Sequence, residues 1–583
     1  MHICYNKMVK GFIMLEKYIR AARREVKADL VLKNATYLDV FCGKLRKGDI
    51  AIVGEKIVGT GEYDGIQEID CSSLTVLPGY IDGHVHIESS QLSPEEFAAL
   101  IVPRGTTAII ADPHEITNVC GIAGCEYIAK ASQNVPLDIK IQLPSCVPAT
   151  PFETSGATLS GRDIEENIVK ENMFGLGEFM NYPGVINCDS DVLKKLEAAH
   201  SAGKIIDGHA PALGGYDLNA YLCGGISTDH ECGSGKEIEE KISKGMYVHI
   251  RHGSSTQNLK NAQFMTDTNF RRFILCTDDR HAADLKEKGH IDDALRRLVK
   301  MGVDPIRAVI CATFNAAECY NLKFRGGIAP LYLADLVAVS DMKNFEAKYV
   351  FKSGKLVAKD GKPLFDTSKR YLPESVLNTV KVKDMQAEDF KLTLKGKRAK
   401  AITIEPGGVV TGCEIVEVDS KDGDVVVKGT DLLKLAVVER HKMTGNIGKG
   451  LLKGYGFKGG ALGITIAHDS HNIILLGDDN GSMAKAANTL KQIGGGMVVV
   501  NSKSGEVHSL TLDIGGLMSS RDAESLQKDS RNLIELAHSM GVKREYEAFM
   551  SLAFLSLAVI PELKLLDRGL FDVEKFTFTQ IDA

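Results

Sequence analysis

The chain has 583 residues, 44% of them hydrophobic and 25% charged, with a formal net charge of -6. That balance excludes a disordered chain and leaves room for roughly two to four domains. There is no basic footprint for a polyanion, so nucleic acid is not an expected partner, although a free base or nucleoside as substrate is not excluded. Thirteen cysteines, all at or before Cys413 and none in a CxxC pair, argue against a disulfide framework and for a reducing cytoplasm.

Residues 1–24 place Lys7, Lys10, Lys17, Arg20, Arg23 and Arg24 among apolar positions. They read as a basic amphipathic extension, with Met8 and Met14 as alternative starts, and not as a signal peptide. From Ala28 to Leu77, short alternating or β-branched runs between glycine-containing turns predict a small antiparallel β unit. After Pro78-Gly79 the rhythm becomes strand then helix. Ser93, Pro94 and Glu96 announce one helix by a capping box, and Ser190 to Ala202, closed by Gly203, form another. Eight short apolar runs follow, all but the third ending in a polar residue: Tyr80 to His84, Thr107 to Asp112, Leu137 to Leu143, Phe174 to Glu178, Lys204 to His209, Gly225 to His230, Met246 to His252 and Arg272 to Asp278. Eight strands over about 240 residues is the size of a (β/α)8 TIM-type barrel. The β rhythm returns at Asp335 to Val339 and Lys348 to Lys352. The expected organisation is therefore α/β: a composite β domain from residues 25–77 and 323–368, a barrel over 78–322, and a C-terminal α+β domain over 383–583 that overlaps the end of a charged linker, Lys369 to Lys400. The uncharged run Ala548 to Pro561 is too short to span a bilayer and predicts a buried helix, so no membrane partner is expected.

His84-Val85-His86 ends the first barrel strand. Residues i and i+2 share a face of a strand, so both imidazoles can reach one metal ion. Later strand ends carry Glu178, His209, His230 and Asp278, and active-site groups of such barrels gather at that end. A nitrogen and carboxylate set without thiolates suits Mn, Fe or Zn. His468-Asp469-Ser470-His471 has the look of a second metal motif, but on a strand-turn its rings are expected on opposite faces. The stretch from Gly445 to Gly463 lacks the GK[ST] of a phosphate loop and reads as turns.

The string Pro78-Gly79-Tyr80-Ile81-Asp82-Gly83-His84-Val85-His86 resembles the signature of the amidohydrolase superfamily. Continued through Ile87-Glu88-Ser89-Ser90, with Asp112-Pro113-His114-Glu115, Gly177-Glu178-Phe179-Met180-Asn181, Gly208-His209-Ala210-Pro211, Cys276-Thr277-Asp278-Asp279-Arg280, Arg440-His441-Lys442 and Ala467-His468-Asp469-Ser470-His471-Asn472, it resembles the bacterial adenine deaminase family. The resemblance implies a metal-dependent hydrolysis of adenine to hypoxanthine and ammonia in purine salvage. His84 and His86 would hold one ion and His209 and His230 a second, with Glu178 bridging and Asp278 completing a binuclear manganese or iron site. Asp278 would accept and relay the proton of water, and Glu88 or Glu115 would protonate the ring. Arg280, Asn118 and His114 are candidates for contact with the purine, His114 also as a ligand or as a partner to one. Asp279, next to Asp278 on an extended segment, is expected to face away. A homo-oligomer is expected, a dimer favoured. The competing readings are another cyclic amide or amidine hydrolase of the superfamily, and a non-catalytic assembly protein on the same fold.

Overall fold

The structure is a computed structural model and describes residues 13–254, 256–405 and 410–583. Of the basic N-terminal segment, residues 1–12 lie outside the described residues; residues 13–22 are helical and pack Met14, Tyr18, Ala21 and Ala22 on the first β strands.

The barrel strands are β1 (Tyr80–His86), β2 (Thr106–Ala111), β3 (Asp138–Leu143), β4 (Met173–Phe179), β5 (Ile205–Gly208), β6 (Thr228–Asp229), β7 (Tyr247–Arg251) and β8 (Phe273–Cys276). β1 to β5 pair as parallel neighbours, and β6, β7 and β8 form a second parallel run. A bridge between Ile206 and Ile226 joins the two runs. Asp278 and Asp279 pair with Val85 and His86 and close the circle. β2 is buried along its whole length, as expected for a strand covered on both faces. Alternation sorts its side chains: Ala108 and Ile110 join Ile81, Ile274 and Tyr320 inside the barrel, while Ile109 and Ala111 pack under the helices.

β1 breaks that alternation. Ile81 faces the interior and Val85, four residues on, faces the helices. An irregular step between Asp82 and Val85 switches the parity, which is what aims His84 and His86 into the barrel mouth. Gly83 sits at the step, where a Cβ would lie 2.6 Å from the Ile274 side chain.

One nine-stranded sheet draws strands from both sides of the barrel, and it is not purely antiparallel as expected, because Ala28–Asp39 pairs in parallel with Gly65–Asp70 and with Thr75–Pro78. Its seam is Thr75–Pro78, running antiparallel to Leu336–Val339. Beyond residue 397 an eight-stranded sheet is built around Leu432–Val438, buried at every residue, between Ile447–Lys453 and Ile473–Gly477. Helices Asn480–Gln492 and Ala523–Ser539 accompany it. Ala548 to Pro561 is not one buried helix: it holds a turn at Met550–Ala553 and a 3-10 turn at Phe554–Ser556, then runs on without regular structure over the barrel mouth.

This C-terminal part is fastened to the barrel by buried hydrogen bonds. Thr154 donates N–H and O–H to Asp567 (3.0 and 2.7 Å), Asn472 donates to the Thr154 carbonyl (2.9 Å) and Ser470 donates to Glu153 (2.6 Å). No described helix is long and apolar enough to cross a membrane.

Candidate active site

The six residues taken from strand ends converge. His86 Nδ1 lies 2.7 Å from the Asp112 carbonyl; donating its proton there leaves the Nε2 lone pair free. That Nε2 is 3.2 Å from His84 Nε2 and 3.1 Å from Asp278 Oδ1. Across the site, His209 Nδ1 is 2.9 Å from Glu178 Oε2 and 3.2 Å from His230 Nε2. The other Glu178 oxygen faces His86 Nε2 at 3.5 Å. One carboxylate thus spans two donor groups. Ligands at 2.0–2.2 Å from an ion sit roughly 3–3.5 Å from one another, so these separations fit a metal site. Among the described residues, the trios His84–His86–Glu178, His84–His230–Asp278 and Glu178–His209–His230 each bring their donor atoms within 4.8 Å.

The supports come from the same strands. Glu178 N–H donates to Asp112 Oδ2 (2.8 Å), an approach that Gly177 permits, since a Cβ there would lie 2.3 Å from that oxygen. Thr277 holds Asp82 through its N–H (3.0 Å) and hydroxyl (2.5 Å) just before Asp278. Asp278 takes a left-handed φ of 58°. Arg251, at the end of β7, donates to Asp278 Oδ2 (2.7 Å) and pairs with Glu231. Burial would raise the Asp278 carboxyl, but the Arg251 guanidinium and the neighbouring histidines hold it well below the usual range.

A cavity of about 600 Å³ opens over this centre, a size that takes a small organic molecule. Glu115 and His114, on α1 (His114–Cys120), line it, as do Asp279, His468, Asp469 and Phe554. His114 Nδ1 lies 3.4 Å from Glu178 Oε1, and burial, with His86 nearby, pushes its ring down to about 4. Burial pushes the Glu115 carboxyl up to about 8, against the pull of His468 3.6 Å away. Glu88 is separated from Glu115: it does not line the cavity, and it accepts the Ile116 N–H at 3.1 Å.

Two candidate purine contacts have other partners. Arg280 is 1% exposed and donates to the Gly289 and His252 carbonyls (2.9 and 2.7 Å) and to Asp293 (2.8 Å), behind the cavity wall. Asn118 is fully buried, donating to the His114 carbonyl (3.0 Å) and accepting from Ser155 (3.2 Å). Both are corrected to supports of loops. Asp279 does not face away: it lines the cavity and accepts from Ser89 at 2.5 Å. The rings of His468 and His471 are not opposed either. A hydrogen bond from His471 N–H to the Ala467 carbonyl (2.7 Å) closes a tight turn, and the two rings sit side by side, centroids 5.3 Å apart, next to Glu115. Arg251 and Glu231 were missed. The signal for Arg251 was its parity with His249 on β7; for Glu231, only adjacency to His230.

A parallel barrel bearing an HxH and further histidine and carboxylate donors at the C-terminal ends of its strands defines a hydrolase of the amidohydrolase type. Comparison with known proteins agrees. The profile of the amidohydrolase family matches residues 75–357, and that of the adenine deaminase C-terminal domain matches residues 408–577. A protein named adenine deaminase 2 from Desulfotalea psychrophila is 46% identical over 573 residues, 98% of this chain and 99% of that one. Proteins named adenine deaminase from Clostridium acetobutylicum and Nitratidesulfovibrio vulgaris are each 44% identical, over 97% of this chain and 99% of theirs. The chain belongs to the adenine deaminase family.

Proposed function

We propose that this enzyme hydrolyses adenine to hypoxanthine and ammonia, as a step of purine salvage in the cytoplasm. The observation that carries the reading is the 46% identity, over nearly the whole of both chains, to a protein named adenine deaminase 2. His84, His86, Glu178, His209, His230 and Asp278 would hold the metal, with manganese or iron the expected ions, zinc a third, and two sites sharing Glu178. When bound, a divalent ion there supplies the Lewis acidity that brings the pKa of water towards neutrality.

The chain's own groups do the rest. Asp278, fixed by Arg251, accepts a proton from the attacking water and hands it to the departing amino group at C6 of the base. Glu115, held protonated near neutrality by burial, gives its proton to ring N1, and the second proton of the added water, released as the C6 carbonyl forms, restores it. Glu88, behind it, is the weaker candidate for that task. The C-terminal segment over the mouth excludes water. We read the chain as a composite β domain (25–77 and 323–368), a barrel (78–322) and a C-terminal α+β domain (383–583), assembled as a homo-oligomer, with a dimer favoured. The test is to follow hypoxanthine and ammonia after mixing the manganese-loaded protein with adenine, using adenosine, cytosine and dihydroorotate as controls. Turnover of adenine alone is the expected result; a metal-replete protein inert towards adenine would refute the reading.

A further inference from the structure

Six carboxylates line the cavity: Glu115, Glu178, Glu231, Asp278, Asp279 and Asp469. Glu178 and Asp278 belong to the metal centre. Glu231 is paired with Arg251 and Asp279 is held by Ser89. Glu115 has the proton to give. Asp469 is left over. It comes from the C-terminal part of the chain, is 6% exposed, and is ion-paired with His468 Nδ1 at 3.6 Å, a separation longer than a hydrogen bond.

Its backbone is held in place from several sides. Ser470 donates to Glu153, Asn472 donates to the Thr154 carbonyl, and Arg440, fully buried, donates to the His471 carbonyl and to the Gly515 carbonyl (2.9 Å). Next to Asp469, His468 lies flat against Phe554, ring centroids 4.9 Å apart at 12°, and both rings line the cavity. A buried carboxylate whose one near donor stands at 3.6 Å gains from a closer one. A purine base placed with C6 at the metal centre turns its five-membered ring away from that centre. That ring carries one N–H in the free base; in a nucleoside the sugar takes its place.

We propose that Asp469 is a specificity-determining residue: its carboxylate accepts the imidazole N–H of the free base, so that the C-terminal domain, not the barrel, selects a base over a nucleoside. The inference rests on the proposed reading of this site as one for adenine. No proton moves in this role; the contact is a hydrogen bond to a charged acceptor, which contributes about 10- to 100-fold in affinity.

The test uses the full-length, manganese-loaded protein and its Asp469→Ala and Asp469→Asn variants. Steady-state kinetics with adenine are measured alongside metal content and the inhibition constant of 9-methyladenine, whose methyl group replaces that N–H. Asp469→Ala is expected to lower kcat/KM for adenine about 10- to 100-fold, chiefly through KM, with metal content unchanged. Asp469→Asn, which keeps an acceptor oxygen, is expected to fall between the two. The inhibition constant of 9-methyladenine should be no weaker in Asp469→Ala than in the wild type. The proposal is overturned if Asp469→Ala keeps kcat/KM for adenine within about threefold, or if adenine and 9-methyladenine weaken equally. Should the alanine variant not fold, the asparagine variant decides by the same ratio. Failure of the wild type to act on adenine is a separate result, and it refutes the reading of the site.

Discussion

Lys241 is the buried support on which two of the candidate ligand histidines, His209 and His230, depend, and replacing it by methionine is a severe test of how the site is held. Its side chain, on helix Gly235–Ser243, is fully buried and donates to Asp229 Oδ2 (2.8 Å), Glu237 Oε1 (2.7 Å) and the Ala210 carbonyl (2.7 Å). Asp229 in turn accepts the Ala210 N–H at 2.9 Å. Ala210 follows His209 and Asp229 precedes His230, so one ammonium fixes the ends of β5 and β6. Lys241→Met keeps the apolar stem but leaves Asp229 buried without its cation. Removing one partner of a buried pair costs about 3–5 kcal/mol. In a unit the size of the barrel that is a fall in Tm on the order of 6–20 °C.

The assay is a thermal scan at fixed rate, at pH 7.5, of Lys241→Met, Asp229→Asn and the double variant. The double variant should be more stable than the sum of the two losses predicts, by about 2 kcal/mol or more, because it has no orphaned charge. A Lys241→Met protein within about 2 °C of wild type, or strict additivity across the cycle, would show that the pair is not what holds β5 to β6.

Two further outcomes follow from the same geometry. Glu178→Gln should lose bound metal together with activity, because Glu178 faces both donor groups; Asp278→Asn should lose activity with metal largely retained, and metal analysis beside kinetics separates them. Full activity in either variant would mean the site is misassigned. Glu153 predicts a pH effect: burial pushes its carboxyl up to about 8 against the hydrogen bond from Ser470. Since the folded state keeps the proton that the unfolded chain releases near pH 4.3, stability on the order of a few kcal/mol is lost as pH rises from about 5 to 8. Glu153→Gln should flatten that loss in Tm scans; an unchanged pH slope would count against it.

The candidate metal centre was readable because its six residues stand at strand ends, where His84, His86, Glu178, His209, His230 and Asp278 each close an apolar run. Strand alternation explained the HxH only in part: it puts the two rings on one face but does not say which, and the irregular step at Gly83 decides that. The rule failed at His468 and His471, where a hydrogen bond from His471 N–H to the Ala467 carbonyl turns the expected extended segment into a tight turn. Arg280 misled because a charged residue next to a ligand motif reads as a contact, whereas Asp293, 13 positions away, captures it. Ala548 to Pro561 is apolar for a reason other than helix formation, since its second half forms the cavity roof. Such features depend on partners distant in sequence, and local pattern does not contain them.

Whether the residues at the barrel mouth hold the metal on which hydrolysis of adenine would depend is tested most directly by one titration. The protein is stripped with chelator, manganese is added back in measured equivalents, and the initial rate of hypoxanthine formation from adenine is followed. No rate is expected in the stripped protein, and a rise that saturates at about two equivalents, the content of a site in which one carboxylate would serve two ions. Hypoxanthine formed at full rate without metal, or none formed at any loading, would contradict it.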